Sequence, residues 1–231
     1  MDPHQAQEGE RPQEVWTVRI ATFSFDDGGA GDLDVIQILK DLGVPTATFY
    51  LCGGHLVPSF YDGMHRDEIR DMYSGFEVGN HTLTHKQLPK LTYDAAFKEI
   101  SGGKAELRGF FRNRNIQCFA YPAGMDSPVS RTIVASLGMK FARTCRRSKP
   151  EAVATCNDPM LMPITCAVRE HALPEKFRVA IAAGLPVHVL SHGWEVRVKG
   201  IGNTIREAIT ALKSAGYTFM SNYGYFKETL A

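Results

Sequence analysis

The sequence contains no apolar run approaching the roughly twenty residues needed to cross a bilayer, and no excess of either charge. Its 26 lysines and arginines stand against 25 aspartates and glutamates. The first absence argues against a membrane span. The second removes the field that would gather nucleic acid or an anionic membrane surface, so neither is an expected partner. There is no Cys-x-x-Cys pair, and the five cysteines, Cys52, Cys118, Cys145, Cys156 and Cys166, cannot all pair within one chain. A reducing, cytoplasmic setting is the expectation. One disulfide among Cys145, Cys156 and Cys166 stays open. So does export, because the opening residues lack a secretion signal but a processed form would already have lost one. No dinucleotide-binding glycine fingerprint appears either.

What is present is a chain of 231 residues, 44% of them apolar. That suffices for one sizeable core and not for two. Residues 16–231 are therefore read as one domain behind a flexible polar tail over 1–15, which has little to bury. Within the domain, β-branched or aromatic runs alternate with segments of helical period. Strands are expected over 17–25, 47–51, 76–79, 117–121, 139–143, 186–190 and 217–220, with 144–160 irregular. Helices are expected over 32–42, capped by Asp32 with Leu33, Val35, Ile36 and Leu39 inward, and over 66–73. Another is expected over 92–112, with Phe97, Ile100 and Leu107 inward and a distortion at Gly102-Gly103. Three more are expected over 127–137, 174–183 and 204–215. This alternation favours an α/β fold, an irregular (β/α) barrel of seven or eight mostly parallel strands, TIM-barrel-like, with functional groups at the strands' carboxyl ends.

Two stretches carry candidate chemistry. In Phe23-Ser24-Phe25-Asp26-Asp27-Gly28-Gly29 an apolar strand stops at two adjacent carboxylates and two glycines. Neighbouring residues at a strand end point in different directions, so one carboxylate can hold a cation while the other moves protons. Asp-Asp-Gly is also ordinary turn chemistry. The second stretch, Gly79-Asn80-His81-Thr82-Leu83-Thr84-His85, shifts the balance. Two histidines four apart on one helical turn share a face. A carboxylate with two imidazoles suits one divalent ion, zinc or another first-row metal, with positions left for water and substrate.

The stretch Thr22 to Gly28 resembles the first motif of the polysaccharide deacetylases of the NodB-homology type, carbohydrate esterase family four, and His81 to His85 resembles the second, in the same order. The resemblance runs from about residue 17 to 217. It implies an irregular barrel in which Asp27, His81 and His85 hold the metal and Asp26 is the general base. Val187-His188-Val189-Leu190-Ser191-His192-Gly193-Trp194-Glu195 resembles the last motif, with His192 as the general acid. Histidine suits that task because its unperturbed pKa lies near neutrality. Leu190 then packs beside the scissile group, and Trp194 offers a face to a sugar or closes the barrel mouth.

The third motif, commonly Arg-x-Pro-Tyr, falls on Phe119-Ala120-Tyr121-Pro122-Ala123-Gly124 and departs from the pattern. Ala120 stands where the arginine is expected and Ala123 where the tyrosine is expected. The backbone N–H of Ala123 can still meet an oxyanion, with Tyr121 as a further substrate contact, whereas the arginine's part must be played from elsewhere or be absent. A strand-ending Pro-Gly turn explains this segment equally well. The fourth motif, an aspartate that tunes the catalytic histidine, has no counterpart. His55, His65 and His171 are assigned to surface loops, His188 to a hydrogen-bonded core position, and Arg143, Arg146, Arg147 and Lys149 to a solvated basic loop. The expected activity is metal-dependent removal of N-acetyl groups from an amino-sugar polymer or oligosaccharide. The alternatives are an amidase for a small cyclic or ureido amide, and a catalytically weak carbohydrate-binding homologue.

Overall fold

The computed structural model describes residues 19–169 and 171–229, and the expected tail lies outside the described residues. The chain runs β1 (Ile20–Asp27), α1 (Gly31–Asp41), β2 (Thr48–Leu51), α2 (Arg66–Met72), β3 (Glu77–Asn80), α3 (Tyr93–Phe110), β4 (Cys118–Ala120), α4 (Pro128–Ser136) and β5 (Phe141–Arg147). It continues α5 (Pro150–Ala154), β6 (Met162–Ile164), β7 (Cys166–Ala167), α6 (Glu175–Ala183), β8 (Val187–His192), α7 (Gly193–Lys199), α8 (Gly202–Ser214), β9 (Thr218–Met220) and α9 (Asn222–Thr229).

The strands lie in the order β6-β5-β4-β3-β2-β1-β8-β7, with β9 also on β1, and every pairing is parallel. Only Thr165 separates β6, which pairs with β5, from β7, which pairs with β8. The run 162–167 therefore bends across the gap and brings the sheet's two ends together. This is the expected α/β barrel, nearly closed, with its irregularity at that seam. Parallel order sends every strand's carboxyl end to one mouth.

Alternation along the strands sorts the side chains. Ala21, Phe23 and Phe25 of β1 and Val187 and Val189 of β8 join the large core with Val35, Ile69 and Ile205 of the surrounding helices. Thr22, Ser24 and Asp26 consequently face the barrel interior, in register with His188, Leu190 and His192. Tyr50, Ala120 and Phe141 share that inner side.

Several elements depart from expectation. β1 includes both carboxylates, and β8 runs through His192. Helix α1 starts at Gly31 with no side-chain cap, so Asp32 is a buried first-turn residue instead of the cap, and Leu33 faces solvent while Ile38 packs inward. Thr92 and Ser127 do cap α3 and α4, but Phe97 lies on the exposed side of α3. No break occurs at Gly102-Gly103. All five cysteines are free, so the disulfide left open by the sequence is not formed. Among the described residues, no helix is long and apolar enough to cross a membrane.

Candidate active site and metal centre

β1 delivers Asp26 and Asp27 to the mouth in two different directions. Asp26 is 3% exposed and faces inward, whereas Asp27 adopts a left-handed conformation, φ 78°, that aims its carboxylate at the opening. A non-glycine residue there is strained and must be held by its surroundings. Gly28 and Gly29 continue the turn at positive φ.

His81 and His85 do not sit on a helical turn. They lie on a loop after β3 in which Thr82 and His85 both have positive φ, a conformation no helix accommodates. The loop is pinned from several sides. Thr84 donates to buried Glu99 of α3 through its N–H at 2.9 Å and its hydroxyl at 2.7 Å, and Asn80 donates to the Ile100 carbonyl at 2.9 Å. Gly53 and Gly54 donate to the Thr82 and Leu83 carbonyls. A Cβ on Gly103 would meet the Thr82 carbonyl and the Asn80 side chain. That close approach explains a glycine inside α3.

These constraints bring the Nε2 atoms of His81 and His85 to 3.5 and 3.3 Å from Asp27 Oδ1. Nδ1 of His81 lies 2.8 Å from the Ala120 carbonyl. A carbonyl only accepts, so that nitrogen carries the proton and Nε2 offers its lone pair. Ligand atoms of Asp27, His81 and His85 lie within 4.8 Å of one another, and Asp27 Oδ1 is buried without a hydrogen-bond partner. Burial alone would raise the Asp27 carboxyl, but the imidazoles of His81, His192 and His85 outweigh it and hold the group well below the usual carboxylate range. Burial works against protonation of His81 too, yet Asp26 and Asp27 raise it. The cluster thus draws positive charge toward an orphaned carboxylate oxygen, and its donor set fits a divalent cation.

Around the cluster stand groups that sequence reasoning misplaced or missed. Arg143 is no part of a solvated loop: β5 extends through it, its side chain is buried, and it donates to Asp26 Oδ1. Its Cζ also lies 5.0 Å from the centre of the Tyr50 ring. His192 Nε2 is 4.0 Å from Asp27 Oδ2, and its Nδ1 is 2.9 Å from Glu195 Oε2. Glu195 is 1% exposed and also accepts from Lys199 at 2.9 Å. Burial would raise its carboxyl; the bonds from His192 and Lys199 bring it below its ordinary value. The signals existed. Alternation from Phe141 puts Arg143 inside, and Glu195 is one helical turn after His192 on α7, a helix that periodicity did not reveal.

Trp194 is 42% exposed and directs its indole N–H to Asp27 Oδ2 at 3.3 Å. It lines a cavity of about 450 Å³ together with Asp27, His85, His55, Phe60, Asp62 and Arg197. His55 is therefore a cavity wall, stacked on Phe60 at 4.2 Å between centroids, and no ordinary surface-loop residue. Leu190 is wholly buried with Cys145, Ile164 and Ala167; register places it one layer below His192, so it backs the site without lining it. Tyr121 is turned away, because alternation past Ala120 sends its ring into the layer of Phe119, Ile100 and Ile133. Its hydroxyl is buried and unpaired there. Ala123 is exposed on the rim at φ 54°, outside the cavity lining. His188 is a core residue, 2.8 Å from Thr22 Oγ1. Burial pushes it down to about 4.

Comparison with known proteins follows the same lines. No curated protein matches the chain. Among solved structures, a family 4 acetyl xylan esterase from Clostridium thermocellum in complex with a cobalt ion is 20% identical, with 90% of this chain and 91% of that one covered and a TM-score of 0.64. A family 4 carbohydrate esterase from Streptomyces lividans in complex with acetate is 18% identical over 87% and 91%, TM-score 0.61. A CE4 family pseudoenzyme from Bacillus anthracis is 19% identical over 93% and 66%, TM-score 0.63. At such identities the likeness is one of fold. Residues 17–142 match the family model described as polysaccharide deacetylase, and over more than half its length, through the strand that carries both aspartates and the loop that carries both histidines, the chain belongs to the polysaccharide deacetylase family.

Proposed function

We propose that this protein removes acetyl groups from the amino-sugar units of a polysaccharide or oligosaccharide, releasing acetate and a free amine. One observation carries the reading: an acidic residue with a buried cationic partner, Asp26, stands beside a three-donor cluster, with a histidine held by its own carboxylate on the neighbouring strand. Asp27, His81 and His85 would hold one divalent cation, with zinc the first candidate among first-row metals. Bound there, such an ion supplies Lewis acidity and makes hydroxide available near neutral pH.

The chain's own groups do the rest. Asp26 Oδ1 is engaged by Arg143, while Oδ2 lies 3.9 Å from His81 Nε2, on the side where an attacking water gives up its proton. The N–H of Ala123 on the rim is the donor we assign to the carbonyl oxygen as negative charge develops, which requires the substrate to extend past the cavity to reach it; such a contact is typically worth about 3 kcal/mol. His192 delivers a proton through Nε2 to the departing nitrogen as the C–N bond breaks. Glu195, by accepting from Nδ1, keeps Nε2 facing Asp27. Trp194 and the His55–Phe60 pair offer aromatic faces to the sugar.

The test compares wild type with His81→Ala/His85→Ala, measuring metal content and acetate release from N-acetylglucosamine oligomers in the same samples. One ion per chain and acetate release, both lost in the variant, is the expected result. Bound metal with no acetate from oligomers, but turnover of small cyclic amides, would replace the substrate class.

A further inference from the structure

β4 and β5 pair in parallel register, Cys118 with Phe141, Phe119 with Ala142 and Ala120 with Arg143. Directly paired residues of neighbouring strands lie about 4.8 Å apart and project to the same face at the same height. Ala120 is the position at which the resemblance calls for an arginine, and it is fully buried on the inner side. The arginine is therefore missing from one strand and present at the same level on the next. Among the described residues its side chain has no other counter-charge. Nη2 donates to Asp26, Nη1 makes long contacts to the Thr144 carbonyl at 3.4 Å and Cys145 Sγ at 3.5 Å, and Nε is buried and unpaired. The Tyr50 ring supports the guanidinium plane.

We propose that Arg143 is the positioning residue for Asp26, and that the guanidinium has moved sideways by one strand, so that Ala120 and Arg143 are exchangeable sites for a single function. The proposal rests on the reading of Asp26 as base. The Arg143–Asp26 pair is nearly inaccessible to solvent, with exposures of 2% and 3%, and a carboxylate so buried needs a partner of opposite charge. With one oxygen engaged, the other is fixed in direction. That is a geometric role, so it should appear in turnover and not in substrate binding.

The experiment uses three variants of the metal-loaded protein. Arg143→Ala should lower kcat at least a hundredfold with KM and metal content within threefold of wild type. Arg143→Lys keeps the charge and the fold but lacks the planar fork, and should lower kcat about tenfold. Ala120→Arg/Arg143→Ala should recover at least tenfold of the loss in Arg143→Ala. Wild-type kcat in Arg143→Lys overturns the positioning role even if Arg143→Ala fails to fold. A folded, metal-loaded double variant no faster than Arg143→Ala overturns the exchange. Should wild type release no acetate at all, the functional reading fails separately. A double-mutant cycle of Asp26→Asn and Arg143→Met on thermal unfolding then still reads the pair, where strictly additive losses in Tm would dismiss it.

Discussion

At the scale of single residues, Asp32 is a costly group for the fold to retain. It is wholly buried, accepts from Tyr73 at 2.7 Å through Oδ2 and leaves Oδ1 unpaired. Burial, against the pull of the Tyr73 bond and with the negative charge of Asp27 and Asp26 nearby, pushes the carboxyl up to about 8. A folded-state pKa above the unfolded one means the folded chain holds a proton that the unfolded chain gives up. Stability is then lost as pH rises from about 4 through 8. Asp32→Asn keeps the shape and the acceptor for Tyr73 without the charge. It should raise Tm by about 5 °C at pH 8 and by little at pH 4.5, and a gain larger at the acidic end in thermal scans would show the sign to be wrong. The same scale shows what sequence can reveal. Asp26 and Asp27 announce themselves by adjacency, and His81 and His85 by spacing. Arg143 pairs with a residue 117 positions away, and no local pattern reports such a partner.

At the scale of elements, α3 and the histidine loop are one unit. Periodicity and the Thr92 cap reveal α3, yet they make Gly102-Gly103 look like a weakness, because what packs against a helix is invisible from within it. The two glycines are not equivalent. A Cβ on Gly102 would come no nearer than 3.3 Å, to a Leu83 methyl, while one on Gly103 would strike the Thr82 carbonyl. Gly102→Ala should therefore gain up to about 1 kcal/mol from helix propensity. Gly103→Ala should cost about 1–3 kcal/mol through overpacking and weaken metal retention, since Thr82 lies between the two histidines. Urea unfolding and metal titration of the two variants check this. Equal effects would mean that the loop yields to the helix. The expected helical turn for His81 and His85 failed for a related reason: four-residue spacing is satisfied equally by a loop clamped from outside.

At the scale of the molecule, the barrel is legible because strand and helix signals alternate, and the seam is not, because β6 and β7 have only three and two residues. Too short to show a period, they close the sheet through partners supplied by β5 and β8. β1 is central to the result, with β8 along one edge and β2 and β9 sharing the other, β9 beside Ile20–Thr22 and β2 beside Ser24–Asp27. A chain ended after residue 185 lacks β8 and His192 and leaves an edge of β1 unpaired. It should show no cooperative thermal transition by circular dichroism; a sharp one would mean that the first seven strands fold alone. The pairing Ser24↔Leu190 also sets an order of events during synthesis. At roughly 5–20 residues per second, the ribosome needs roughly 8–33 s after making β1 to make β8, which covers one of its edges. For that interval Asp26 has no His192 beside it, and β1 waits with an open edge, a natural client for a chaperone.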